Sequence, residues 1–149
     1  MTSELYPSQV AANAMAQALF EKLQAATWPA MPKVRSEWSY DFGIATYTVR
    51  GSSDNQRVAT AIVLVYMVGP DGERKDLIGF WVDGYANGDV TIRYQYRSAG
   101  LPLRAIHVRL FDAEPEEVER IALGDVGSLV DNVIGTVRMF FEDQDKVTR

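Results

Sequence analysis

A length of 149 residues is that of one ordinary domain, and 1–149 is read here as a single unit with no room for a separate cofactor domain. At 47% hydrophobic and 11% aromatic residues the chain is not disordered, and its longest apolar run, 61–68, is far short of the roughly 18 residues that a membrane span needs. The single histidine, the lack of cysteine and the net charge of −5 exclude thiol nucleophiles, disulfides, thiolate or multi-histidine zinc sites and bulk binding of duplex nucleic acid.

The first predicted element is a helix from Pro7 to about Ala26. Val10, Ala14, Ala18, Leu19 and Leu23 fall at helical spacing, and a proline suits the first turn, where its missing N–H costs nothing. Seven alanines between 11 and 26 leave room for a neighbouring backbone to approach, and Pro29 and Pro32 end the helix.

Strands follow. Val34, Ser36, Trp38 and Tyr40 alternate with Arg35, Glu37, Ser39 and Asp41, which predicts a half-buried strand that turns or bulges at Gly43. A second strand is expected over 44–50, then a polar loop, then a third over 57–68 that is apolar on both faces. Pro70-Asp71-Gly72 makes a turn into a fourth strand over 75–86, and Asn87-Gly88 is the strongest hairpin signal in the chain.

A two-residue turn at Asn87-Gly88 sets Trp81 opposite Tyr94, Asp83 opposite Ile92 and Gly79 opposite Tyr96, which gives one aromatic face. The same register sets Val82 opposite Arg93, Phe80 opposite Gln95 and Ile78 opposite Arg97 on the other. A sixth strand over 104–111 turns Ile106, Val108 and Leu110 toward the aromatic face and His107 and Arg109 away from it.

The tail predicts a short helix after Glu114-Pro115, ending near Gly124, and a long amphipathic one capped by Asp125. Val126, Leu129, Val130, Val133, Ile134, Val137, Phe140 and Phe141 form a stripe wide enough to cover a sheet. The expected fold is therefore α+β: an N-terminal helix, a six-stranded mainly antiparallel meander, a short helix and a long C-terminal helix packed on the aromatic face. Because the third and fourth strands are apolar on both sides, the second face also needs cover, supplied by the first helix and in part by a second copy in a symmetric dimer.

Charge is segregated: residues 1–111 hold 10 acidic and 11 basic groups, net +1, and residues 112–149 hold 10 acidic and 4 basic groups, net −6. Arginine supplies 11 of the 15 cations, and its planar fork pairs with carboxylates in fixed geometry. Glu4, and the polar Asn13 and Gln17 that interrupt the apolar residues after it, do not suit a secretory signal, so a cytoplasmic protein is expected.

No motif carries recognisable chemistry. Asp83, Asn87 and Gly88 match the first, fifth and sixth positions of a calcium-binding loop, but Tyr85 and Tyr94 stand where further ligands belong, and the segment reads as a hairpin. His107 has no nucleophile at a motif spacing, no phosphate-cradling glycine loop occurs, and no cofactor is implied.

The leading functional expectation is a non-enzymatic protein-binding module such as an adaptor, inhibitor, immunity-type protein or secretion chaperone. Its partner site is Arg93, Arg97, His107 and Arg109 beside the apolar Phe80 and Val82, suited to an acidic segment of another protein. Alternatively the same arginines hold this chain's own acidic tail. A second functional class is a small-molecule sensor or acid/base enzyme with a pocket lined by Trp38, Tyr40, Trp81, Tyr94 and Tyr96, in which Asp83 is the polar anchor or general acid.

Overall fold

The structure is a computed structural model that describes residues 7–48, 57–96, 104–109 and 115–147. In chain order it comprises helix α1 (Pro7–Ala25), a 3-10 turn at Lys33–Arg35, strands β1 (Ser39–Thr48), β2 (Arg57–Val68), β3 (Arg74–Tyr85), β4 (Asp89–Tyr96) and β5 (Arg104–Arg109), and helix α2 (Pro115–Val147). The strands form one antiparallel meander in the order β1-β2-β3-β4-β5.

The α+β class and the terminal helices agree with the sequence, and several details differ. Residues 34–38 are not strand: behind Pro32 the chain tightens into a 3-10 turn, with the Arg35 N–H donating to the Pro32 carbonyl and the Trp38 N–H to that of Arg35. Gly43 does not interrupt the sheet either, so the first two expected strands are the single β1, and among the described residues the sheet has five strands where six were expected. This glycine makes room for a ring, since a Cβ there would lie 3.2 Å from Tyr66 on the neighbouring strand. The tail forms one 33-residue helix in place of a short and a long one, because an interior glycine such as Gly124 costs only about 1 kcal/mol.

The β3–β4 register is shifted by one residue from the expected one. The loop is Ala86-Asn87-Gly88, a three-residue turn in which the Gly88 N–H donates to the Tyr85 carbonyl at 3.0 Å and Gly88 takes φ 96°. Asn87 Oδ1 accepts from the Asp89 N–H at 3.0 Å. Phe80 therefore pairs with Tyr94, Ile78 with Tyr96 and Val82 with Ile92, while Trp81 pairs with Arg93 and Asp83 with Thr91. A one-residue shift exchanges the faces.

Both helices pack on the Phe80 side of the sheet. Val63, Val65, Ile78, Phe80, Val82, Val90 and Ile92 are at most 1% exposed there, in one core with Met15, Leu19 and Leu23 of α1, against which α2 packs with Val126, Val133 and Val137. Phe80 stacks on Tyr94 with centroids 6.0 Å apart, Tyr94 meets Tyr96 edge-on, and Phe140 meets Tyr96 edge-on at 5.4 Å, which ties α2 to β4.

The buried stripe of α1 is Ala11, Ala12, Met15, Ala16, Leu19 and Leu23, whereas Val10, expected inside, is 57% exposed. The small alanines let the helix sit close to the strands, and its first turn passes directly over Gly84, where an added Cβ would lie 2.4 Å from the Ser8 carbonyl oxygen. Two side chains fasten that turn: the Ser8 hydroxyl donates to the Tyr85 carbonyl, and the Gln9 amide donates to the Val58 carbonyl at 2.9 Å.

After α1, the Trp28 ring stacks between the helix end and β1, 5.1 Å from Tyr40 and 5.9 Å from Phe42, with its indole N–H donating to the Leu23 carbonyl. The Tyr40 hydroxyl donates to the Pro29 carbonyl at 2.7 Å, and burial pushes its pKa from 10.0 to about 12. The folded state thus keeps a proton that the unfolded chain releases above about pH 10, so this contribution to stability is complete below pH 10 and is lost as pH rises toward 12. In urea denaturation followed over that range, Tyr40→Phe is expected to lose less stability with pH than the wild type; parallel curves would show that Tyr40 is not the group responsible.

Two glycines give a paired test. Gly84→Ala forces a Cβ into the Ser8 backbone and is expected to cost roughly 1–3 kcal/mol in chemical denaturation. Gly135→Ala, where an added Cβ meets nothing within 4 Å, is expected to be neutral or to stabilise α2 by up to about 1 kcal/mol.

Candidate interface on the open sheet face

Strand alternation leaves a second face, and among the described residues neither helix packs on it. In β2 the residues at 60, 62, 64, 66 and 68 are half-buried while those at 59, 61, 63, 65 and 67 are buried, so one strand reports both environments. Cross-strand pairing arranges this open face in rows. One row is Tyr47, Thr60, Asp83, Thr91 and His107; the next is Ala45, Ile62, Trp81, Arg93 and Ala105. Then come Gly43, Leu64, Gly79 and Gln95, and finally Asp41, Tyr66 and Asp76.

The two middle rows are mostly apolar, and their glycines hold rings flat. A Cβ on Gly79 would lie 3.0 Å from the Trp81 indole, and one on Gly43 would lie 3.2 Å from the Tyr66 ring. The Arg93 guanidinium sits 6.0 Å from the Trp81 ring centroid, and that of Arg74 sits 5.3 Å from Tyr66.

Asp83 is the one carboxylate among the described residues with a fully buried side chain, although it stands on the open face. Thr60 donates its hydroxyl to Oδ1 at 2.6 Å, Arg93 donates Nε–H to Oδ2 at 3.0 Å, and Arg57 lies 3.7 Å from Oδ1. These partners come from the flanking strands, with Thr60 directly across and Arg93 on the diagonal, the usual reach of cross-strand pairs. Both carboxylate oxygens are thereby occupied by the protein's own donors. The group is a clamp across three strands.

The expected site residues are redistributed. Antiparallel pairing sets Thr91 opposite His107 and Asp89 opposite Arg109, so those two positions share the open face with Arg93. Arg97 lies outside the described residues. Phe80 and Val82, expected beside the arginines, are fully buried on the helix side instead, because the three-residue turn exchanged the faces. Arg93 is held by Asp83.

The expected aromatic pocket does not assemble either. Tyr94 and Tyr96 are buried on the helix side and Tyr40 packs with Trp28 there, Trp81 lies on the open face, and Trp38 precedes β1 and covers Gly69. Asp83 is separated from Tyr94 by the sheet itself.

Sequence reasoning missed the outer pairing of Asp41 with Arg74, 3.4 Å apart, and the role of Tyr66. The signal was the apolar character of 57–68 on both faces, which requires neighbours on each. Among the described residues no group of three or more histidine, aspartate or glutamate side chains is arranged to hold a metal ion, and no helix is long and apolar enough to cross a membrane. Comparison with protein-family models, with curated proteins and with solved structures finds no match for this chain.

The clamp predicts stability effects unlike those of a surface arginine. Arg93→Met leaves a buried carboxylate with Thr60 and a distant Arg57, and is expected to cost about 3 kcal/mol, the low end for a broken buried pair because Arg93 is itself 33% exposed. Arg93→Glu is expected to cost more, in place of the near-neutral reversal that a solvated patch implies. Adding Asp83→Leu to Arg93→Met is expected to recover a large part of the loss, and urea denaturation of the three variants checks the order.

Proposed function

We propose that this chain is a non-enzymatic protein-binding module whose contact surface is the open face of the sheet. The observation that carries the reading is the pair of middle rows, where Ile62, Leu64 and Trp81 stay half-buried between two polar rows whose charges are already paired within the fold. Apolar centres with a charged rim are how protein interfaces are built: the centre supplies affinity as water leaves it, and the rim sets orientation.

Charge pairing shifts the weight from the arginines to the apolar rows. Arg93 spends its Nε–H on Asp83, so it stiffens the face and lends its guanidinium plane to Trp81. Arg57, with 47% of its side chain exposed, and Arg74, with 61%, stand at the rim and steer approach.

A photo-reactive amino acid in place of Leu64, introduced in the native host, tests the reading. Protein adducts are expected from Leu64 and not from the exposed Asp131 on α2. An adduct pattern at Leu64 no richer than at Asp131 would remove the open face as a protein-binding surface.

A further inference from the structure

We infer that the occupant of the open face is a second copy of this chain, stacked sheet to sheet about a twofold axis; the inference rests on the binding role of that face. Three observations converge on it.

The first is charge. By residue position the described face carries Asp41, Asp76, Asp83 and Asp89 against Arg57, Arg74, Arg93 and Arg109, equal numbers of each sign. Asp41 is bridged to Arg74 and Asp83 to Arg93, and Asp89 stands at the register position opposite Arg109. The chain as a whole has a net charge of −5, yet the described register positions of this face sum to zero. A strongly acidic or basic partner gains little from such a surface, whereas a twofold dimer brings a patch against itself and is opposed by any net charge on it.

The second is shape. Trp81 lies across Gly79 and Tyr66 across Gly43, so the largest side chains of the face are folded down onto bare backbone rather than standing up around a cleft. A planar face suits another sheet, packed about 10 Å away with strands roughly 30° off parallel, and gives a small ligand little to enter.

The third is size. Five strands about 4.8 Å apart and from 6 to 12 residues long present roughly 600 Å² in projection, and side-chain relief enlarges the accessible area. A standard stable interface buries about 800 Å² on each partner. The face is thus of the order of size that one side of a dimer interface requires.

Sedimentation of the purified 149-residue chain across a wide dilution series is the test. A monomer–dimer equilibrium is expected, with little change between low and high salt because the patch has no net charge. Leu64→Arg is expected to weaken the dimer by at least about tenfold, and Asp131→Arg on α2 to leave it unchanged. If Leu64→Arg fails to fold by circular dichroism, Gln95→Arg in the same row takes its place. A chain that stays monomeric throughout, or a dimer indifferent to the open-face variant, overturns the inference. Adducts from Leu64 to a different protein in the host, with a monomeric purified chain, would refute the second copy while leaving the binding role intact; failure of both experiments would refute the role itself.

Discussion

Which residues of this protein meet water is decided at the hairpin between β3 and β4, where the Gly88 N–H closes on the Tyr85 carbonyl and Gly88 adopts a positive φ. That geometry makes the loop three residues long, and loop length sets the parity of everything that follows. With it, Phe80, Val82, Ile92 and Tyr94 go under the helices while Trp81, Asp83, Thr91 and Arg93 go to the other side. One residue less in the turn would place Asp83 in line with Ile92 and Tyr94 beside Trp81, and neither face would then be chemically uniform. Register and sidedness are a single constraint here.

Asp83 enforces that constraint from the opposite direction. A fully buried carboxylate is tolerated only where its oxygens are satisfied, and the partners for it, Thr60, Arg57 and Arg93, exist on the open face alone. Under the helices the core is apolar, and the nearby Ser8 and Gln9 already donate to the Tyr85 and Val58 carbonyls. The clamp thus penalises the slipped register more than it stabilises the native one, which fits the modest net worth of buried ion pairs as a class. Gly84, the next residue, adds a second lock, because only a residue without a Cβ admits the first turn of α1 at that point.

Much of this was legible before the fold was known. The start of α1 at Pro7, the apolar stripe of α2 from Val126 to Phe141, the β2 span from Arg57 and the placing of His107 and Arg109 on the face of Arg93 all follow from periodicity, since each rests on a regular pattern several residues long. What escaped depends on single residues. Asn-Gly favours a two-residue hairpin, yet here Ala86 joins the loop, and nothing in the local residue types separates the two outcomes. Gly43 reads as a turn or bulge and Gly79 as the bare position opposite Tyr96, whereas Gly43 is the bed for the Tyr66 ring of the neighbouring strand and Gly79 for the Trp81 ring of its own. The buried side of α1 escaped because its many alanines blur the apolar stripe, so Val10 outranked Ala12 by bulk although only the small residue fits beneath the helix.

The intramolecular pairing at Asp83 weighs for the proposed contact surface over acid/base chemistry at the open face. A site for acid/base chemistry needs a group left unfinished, with a lone pair or proton available to a substrate, and at Asp83 each oxygen already has a donor. An interface has the opposite requirement: every charge taken out of water on association must already hold its partner, or desolvation cancels the gain from apolar contact. Here the desolvation of Asp83 is met during folding, and association needs to dehydrate only the exposed part of Arg93 and the flat surfaces of Trp81, Ile62 and Leu64. Binding at this face is therefore expected to draw on apolar burial with little salt dependence, and its strength to track the planarity that Gly43 and Gly79 allow.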